Sequence, residues 1–145
     1  MASSLLAMRG ASSFFTGGVV AYSKHAKQTM LGLDQSSSKP TATEAHALEM
    51  AMAVRERLAT DWAVGESGVA GPTPNSRGSS PGVCALAVVG PRGVRHTRML
   101  WPEDELGAAD AYGQPRKFER HEAMQQFAAA GLQMLDEVVA AEEVK

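Results

Sequence analysis

Apolar residues recur at steps of three and four positions in two long segments, which is the spacing that gathers them on one face of an α-helix. The first segment follows Thr43, a residue type that caps helix N-termini, and its apolar positions are Ala47, Met50, Ala51, Val54 and Leu58. The second lies near the end of the chain, with apolar positions Phe118, Met124, Phe127, Leu132, Leu135 and Val138. Both are predicted to be amphipathic helices. A shorter helix is predicted from Lys24 to Leu31, where Gly32 is placed to end it.

Short apolar runs between glycines and prolines predict the β-strands. One run, Val19 to Tyr22, follows a pair of glycines, and a second short strand is predicted from Trp62 to Val64, before a long Gly- and Ser-rich loop. Val83 to Val89 and Val94 to Leu100 flank the turn sequence Pro-Arg-Gly and are predicted to pair as a hairpin. Strands and helices otherwise alternate. We therefore expect an α/β fold, a three-layer sandwich in which a mixed β-sheet is flanked by helices.

Length and composition fit a single soluble domain that spans residues 1–145. Of the 145 residues, 44% are hydrophobic and 21% are charged, a balance that argues against wholesale disorder and fibrous chains. The formal net charge of -2 provides no bulk attraction for nucleic acid, so no nucleic-acid partner is expected. The longest uncharged stretch, between Arg9 and Lys24, is too short to span a membrane, and no membrane partner is expected either.

The cysteine content favours a reducing compartment. Cys84 is the only cysteine of the sequence, which argues against an intramolecular disulfide and a cysteine-rich zinc site. No metal and no cofactor is predicted, and the expected location is the cytoplasm. Organellar targeting stays open, because no acidic residue precedes Asp34 and the first residues include Arg9 and several serines. Cys84 itself is predicted to be a buried strand residue.

Three local patterns contain residue types suited to chemistry, although none is a standard metal or nucleotide motif. They are Gly17 to Lys27, Ser67 to Pro72 and Arg116 to Arg120. The glycines alone are more typical of turns than of a phosphate-binding loop, since no Gly-Lys-Ser or Gly-Lys-Thr sequence is present.

Several single residues have a structural as well as a functional interpretation. Lys27 is either a solvated helix lysine or a base, and Tyr22 is either a core tyrosine or a substrate contact. Glu66 is either a loop carboxylate or an acid of the site. His46 and His121 are predicted to lie at the surface or near helix caps rather than to act as ligands.

Taken in order, these patterns resemble the CinA C-terminal domain family, the competence/damage-inducible proteins that include bacterial nicotinamide mononucleotide amidohydrolases. The family's Gly-Gly-Val-Val-x-Tyr-Ser-Asn-Glu-Ala-Lys is similar to Gly17 to Lys27. Its helix start Ser-Glu-Glu-Val-Ala-x-x-Met-Ala resembles Thr43 to Ala51, and its Thr-Gly-Ile-Ala-Gly-Pro resembles Ser67 to Pro72. A final Gly-Asp-Arg-x-x-x-Arg pattern is matched only by Arg116 and Arg120.

The resemblance implies amide hydrolysis by a serine and lysine pair, which releases ammonia from a small nucleotide like nicotinamide mononucleotide. It places the lysine of the pair at Lys27, and it puts Tyr22 and Ser67 near the reacting amide. No cofactor is implied. A lysine can serve as the base only if burial or a neighbouring cation lowers its pKa.

The same nucleotide would need an anion-binding site for its phosphate. Gly68 and Gly71 would let successive backbone amides approach such an anion. Arg116 or Arg120 would pair with it through two parallel hydrogen bonds.

The family's serine belongs to a Glu-Ser-x-Thr-Gly-Gly motif that is absent from the 145 residues. We therefore expect an N-terminally incomplete family domain that lacks the family's first strand. Without the hydroxyl, Lys27 is a base with no nucleophile. Two functions stay open: an amidohydrolase whose serine is encoded upstream, and a non-catalytic module that binds a nucleotide or a partner subunit. A purely structural fragment is the third alternative.

A sheet without its first strand would leave unpaired backbone groups along an open apolar edge. We therefore predict that the 145-residue chain is less soluble than a full-length relative, and that it aggregates or forms a homo-oligomer through that edge. Sedimentation velocity combined with thermal unfolding tests this. A soluble monomer that unfolds cooperatively would contradict the prediction.

Overall fold

The computed structural model describes residues 1–34, 40–101 and 119–144. Its helices are α1 (Ala2–Leu6), α2 (Lys24–Leu31), α3 (Glu44–Leu58) and α4 (Arg120–Glu143), and its strands are β1 (Ala63–Gly68), β2 (Cys84–Val89) and β3 (Arg95–Leu100). Short 3-10 turns lie at Ala11–Ser13 and Pro91–Gly93. Within these described ranges, no helix combines the length and the apolarity that crossing a membrane requires.

The three strands form one open sheet in the order β1-β2-β3. Both strand pairs are antiparallel: Leu86 of β2 lies opposite Glu66 on one side and opposite Arg98 on the other. The hairpin predicted on either side of Pro-Arg-Gly is therefore confirmed. All pairing in the described part of the chain is antiparallel, so the sheet there is not mixed.

Strand β2 is buried on both faces because a helix covers each of them. One face packs against α4 in a cluster that includes Leu86, Val88, Phe127 and Met134. The opposite face packs against α3 in a cluster that includes Ala47, Ala51, Ala85, Ala87 and Val89. Alternate residues of a strand point to opposite faces, so the continuous apolar run of β2 supplies both clusters. The predicted α/β architecture, with helices flanking the sheet, is confirmed.

The α3 side of the sheet is built from very small residues. Gly65 of β1 faces α3, and a Cβ atom at this position would collide with the carbonyl oxygen of Ala47. The backbones of α3 and β1 can approach this closely only because position 65 carries no side chain. This contact fixes the height of the first turn of α3 above the sheet.

Helix α4 uses a narrower apolar stripe than the sequence predicts. Its buried residues are Ala123, Phe127, Ala130, Gly131, Met134 and Val138. Met124, predicted on the apolar face, is exposed, because it lies one position, and therefore about 100° of helix rotation, beyond the stripe that starts at Ala123. Phe118, the first apolar position predicted for this helix, lies outside the described residues.

Two strand predictions need correction. Val19 to Tyr22 has no strand assignment, and Val20 is 87% exposed and Tyr22 81% exposed. An extended segment becomes a strand only when a neighbouring strand takes up its backbone hydrogen bonds, and no described strand pairs with this one. The second prediction, Trp62 to Val64, is too short: β1 runs from Ala63 to Gly68, so Ser67 and Gly68 belong to the sheet rather than to the loop.

The close contact at Gly65 predicts a large effect for a single added methyl group. Gly65→Ala should lower the free energy of unfolding by ~1–3 kcal/mol, because the new Cβ must push α3 away from β1. Gly17→Ala is the matched control, since its Cβ would meet only Leu58 at an ordinary 3.6 Å. Urea denaturation of both variants measures the difference. Equal stabilities would show that α3 and β1 tolerate the insertion.

Candidate active site around Lys27

The two helices that carry the central residues both begin with a hydroxyl cap. Ser23 precedes α2 and its side chain accepts a hydrogen bond from the Ala26 amide at 3.0 Å. Thr43 precedes α3 in the same way and accepts from the His46 amide at 3.3 Å. These caps satisfy backbone N–H groups that would otherwise lack partners, and they fix where each first turn lies.

The first turns of α2 and α3 meet through one side-chain contact. The Nζ atom of Lys27 lies 3.0 Å from Nε2 of His46. His46 is only 8% exposed, and Lys27 is partly buried. The interpretation of Lys27 as a fully solvated helix lysine is therefore wrong. His46 lies in the capped first turn of α3, which is one of the two positions predicted for it, but it is not a surface residue, because Lys27 of α2 contacts its buried ring. His121 is exposed, as predicted.

Burial and neighbouring charges shift the proton affinity of both groups. Burial, followed by the positive charge of Arg77, lowers the pKa of Lys27, and the negative charge of Glu66 acts in the opposite direction. Burial and then the charge of Lys27 lower the pKa of His46, against the raising effect of Glu49. Both shifts favour the neutral form, which is the form in which an amine or an imidazole accepts a proton.

A polar cavity of about 160 Å³ opens beside the Lys27 amine. It is lined by Tyr22, Lys24, Lys27, Thr41, Asn75, Ser76 and Arg77. Three of these residues carry positive charge, so the cavity suits an anionic ligand. Sequence reasoning singled out the segment Gly17 to Lys27, which contains Tyr22, Lys24 and Lys27, but missed the other four residues, three of which come from the long loop after β1.

Asn75 shapes the loop that supplies this wall. Its side-chain oxygen accepts hydrogen bonds from the amides of Arg77 at 3.0 Å and Ser79 at 2.9 Å. Asn commonly organises turns in this way. The sequence Pro-Asn-Ser-Arg-Gly therefore contained a usable signal for a defined turn that holds Arg77 near Lys27.

Arg120 joins two other predicted site residues. Its Nη1 donates to the carbonyl oxygen of Gly71 at 3.0 Å, and its Nη2 lies 3.5 Å from the hydroxyl of Tyr22. Tyr22 is largely exposed, so the alternative of a core tyrosine is wrong. The structure thus brings Tyr22, Gly71 and Arg120 together at the edge of the cavity. Arg116 lies outside the described residues.

Ser67 and Gly68 occupy the last positions of β1. Ser67 lies opposite Ala85 in the antiparallel ladder, and Gly68 lies opposite Cys84. A Cβ on Gly68 would come within 2.8 Å of the Phe127 ring, so this glycine has a packing role against α4. Among the described residues, neither Ser67 nor Gly68 lines the Lys27 cavity.

Glu66 is a strand residue whose carboxyl group points to the α4 side. The Cys84 thiol donates to its Oε1 at 3.6 Å. Burial raises the pKa of Glu66, and burial followed by the charge of Glu66 raises the pKa of Cys84. The buried strand position predicted for Cys84 is confirmed.

Across residues 1–34, 40–101 and 119–144, no group of three or more His, Cys, Asp or Glu could hold a metal ion.

The described residues form an open sheet between two helix layers, with a partly buried lysine beside a cationic cavity. The chain belongs to the CinA family, since the model of the CinA C-terminal domain matches residues 1–139. It is 34% identical to a CinA-like protein of Cyanothece sp. over 94 residues, 63% of this chain and 22% of that protein. It is 38% identical to a CinA-like protein of Synechococcus sp. over 96 residues, 65% of this chain and 23% of that protein. The chain therefore spans less than a quarter of either relative.

Solved structures of the family share the fold. The competence/damage inducible protein of Agrobacterium tumefaciens superposes with a TM-score of 0.74 at 24% identity, covering 94% of this chain and 76% of that one. A CinA superfamily protein of Escherichia coli gives a TM-score of 0.71 at 24% identity, covering 92% and 72%. At this level of identity the likeness shows the fold alone.

The raised pKa of Glu66 predicts a pH dependence of stability with a definite sign. The native state holds this proton to higher pH than the unfolded chain does, so the native state loses stability as pH rises from the unfolded pKa through the folded pKa. Glu66→Gln cannot lose a proton, so its stability relative to wild type should increase as the pH rises above about 4, the usual pKa of an unfolded glutamate.

Denaturant unfolding at several pH values measures this difference. Glu56→Gln on the exposed side of α3 is the control and should show no comparable trend. A stability difference for Glu66→Gln that stays constant across this range would contradict the burial of the Glu66 carboxyl group.

Proposed function

We propose that this chain contributes the lysine side of an amidohydrolase site, with Lys27 as general base and a nicotinamide mononucleotide-like amide as substrate. The observation that carries the proposal is the Lys27 amine, whose pKa is lowered by burial and by Arg77 and which borders a cationic cavity. Membership of the CinA family supports the reaction type. The hydroxyl nucleophile would come from the family's Glu-Ser-x-Thr-Gly-Gly motif, which is not among these residues.

In the proposed reaction, the neutral amine of Lys27 takes the proton of that hydroxyl as its oxygen forms a bond to the amide carbon. The resulting Lys27 ammonium then gives a proton to the leaving nitrogen, the carbon–nitrogen bond breaks, and ammonia departs. Water hydrolyses the remaining ester to release the carboxylate. A lysine with an unshifted pKa would be protonated and unable to begin this sequence, so the lowered pKa is the property the chemistry needs.

The cavity offers groups for the rest of the substrate. The cations Lys24 and Arg77 would attract the phosphate of a mononucleotide, and Thr41 and Ser76 add hydroxyls. Arg120 would act here by positioning Tyr22 and the loop at Gly71, because its Nη1 donates to the Gly71 carbonyl oxygen and its Nη2 contacts the Tyr22 hydroxyl.

On the strength of the family resemblance, Ser67 remains proposed as a catalytic-site residue near the reacting amide, and Gly68, Gly71 and Arg116 remain proposed as substrate-binding residues. A cytoplasmic location fits a soluble small-nucleotide enzyme, and we propose it on that basis.

A second candidate function is a module that binds the nucleotide without hydrolysing it. The cationic cavity favours it, because all of its lining residues come from this chain and none of them requires the serine motif. Such a module would bind the same anionic ligand, alone or together with a partner subunit, and would release no ammonia.

Replacing the base should abolish turnover if the first proposal holds. The assay uses the full protein as its source encodes it, with the intact mass of the endogenous protein as the reference. In that protein, Lys27→Met should lower ammonia release from nicotinamide mononucleotide by at least ~100-fold, the usual loss when a general base is removed. Arg95→Gln, at the far end of the sheet from Lys27, is the control for loss of one positive charge. Ammonia release that survives Lys27→Met would contradict the assignment of the base.

Calorimetric titration with the same nucleotide separates the two candidates. Heat of binding together with ammonia release supports the amidohydrolase. Binding without ammonia release supports the module. Neither binding nor release would contradict both.

A further inference from the structure

Three side chains in the first turns of α2 and α3 form a continuous row. Nζ of Lys27 lies 3.0 Å from Nε2 of His46, and Nδ1 of the same ring lies 3.4 Å from Oε2 of Glu49. His46 and Glu49 are three positions apart on α3, so they lie on one face of the helix. The row runs from the partly buried side chain of Lys27 to the exposed carboxylate of Glu49.

The two ends of the row determine how the His46 ring is protonated. A carboxylate can only accept a hydrogen bond, so Nδ1 must carry the hydrogen that faces Glu49. Burial and the charge of Lys27 lower the pKa of His46 and favour the neutral ring. In a neutral ring with hydrogen on Nδ1, Nε2 carries the lone pair. That lone pair faces the Lys27 amine.

We propose that His46 is the positioning residue for Lys27: through Nε2 it accepts one hydrogen of the amine, and Glu49 holds the ring in the tautomer that can do so. This hydrogen bond fixes one hydrogen of the neutral amine and leaves its second hydrogen and its lone pair for the cavity that Lys27 lines. When Lys27 takes up a proton, the hydrogen bond to His46 and the negative charge of Glu49 beyond it stabilise the ammonium. The inference rests on the proposed function, in which Lys27 is the base.

Other charged groups also face the row. Arg77 of the loop after β1 lowers the pKa of both Lys27 and His46, and Glu66 of β1 raises that of Lys27. The two groups measured against the ring nitrogens themselves are Lys27 at 3.0 Å and Glu49 at 3.4 Å. Changes made at Lys27 and at Glu49 should therefore affect His46 in opposite directions.

The first test is a proton NMR titration of the His46 ring in the whole chain. Lys27→Met removes a positive charge and should move the titration midpoint of His46 to higher pH. Glu49→Gln removes the negative charge and should move it to lower pH. Loss of the signal in His46→Val assigns it, and His96, exposed on β3, is the internal reference. Midpoints that do not move, or that move in the same direction, would overturn the proposal.

The second test measures the amine itself. Competitive labelling with acetic anhydride, followed by mass spectrometry, gives the pH midpoint of Lys27 reactivity. His46→Val removes the acceptor and leaves the amine against an apolar group, so the midpoint should move to lower pH. His46→Gln restores an acceptor oxygen at a similar reach and should bring it back toward the wild-type value. Equal midpoints in the Val and Gln variants would contradict the positioning role.

These tests do not depend on turnover. A failure of the proposed amidohydrolase activity would appear as absent ammonia release, while the titrations of His46 and Lys27 would still show whether the row is coupled. If His46→Val does not fold, the opposite shifts in Lys27→Met and Glu49→Gln decide the question alone.

Discussion

The burial of β2 on both of its faces is the constraint on which the rest of this structure depends. A strand without a solvent-facing side requires two covering helices, and each must bring a surface shaped to its own side of the sheet. The α4 side is filled by large side chains such as Leu86, Phe127 and Met134. The α3 side is filled mainly by alanines together with Val89, and Gly65 lies directly beneath the helix. The small residues let α3 lie tightly on the sheet.

This tight layer explains how Lys27 and His46 come into contact. The carbonyl oxygen of Ala47 lies against Gly65, and the preceding residue of α3 is His46. A helix held firmly at Ala47 therefore holds the His46 ring in place, and the capped first turn of α2 brings the Lys27 amine to it. The shared burial lowers the pKa of both groups. The same contact therefore determines both how α2 packs on α3 and how the pKa values of Lys27 and His46 are lowered.

Sequence alone predicted the parts of the fold that local rules determine. α3 follows its apolar periodicity and begins after Thr43, whose side chain caps it, and α2 runs from Lys24 to Leu31 with Gly32 at its end, as predicted. The hairpin follows from two apolar runs and a Pro-Arg-Gly turn. Val19 to Tyr22 was mispredicted because an apolar run does not reveal whether a partner strand lies beside it.

The candidate site was harder to predict because it depends on contacts between distant elements. The family resemblance indicated Lys27, but nothing in the spacing of α3 showed that α2 would cover His46. Arg77 was missed for the same reason, since its proximity to Lys27 depends on a turn organised by Asn75.

The contact between Tyr22 and Arg120 joins residues 98 positions apart and has a consequence for synthesis of the protein. Tyr22 leaves the ribosome long before Arg120, so this edge of the cavity cannot form until most of the chain has been translated.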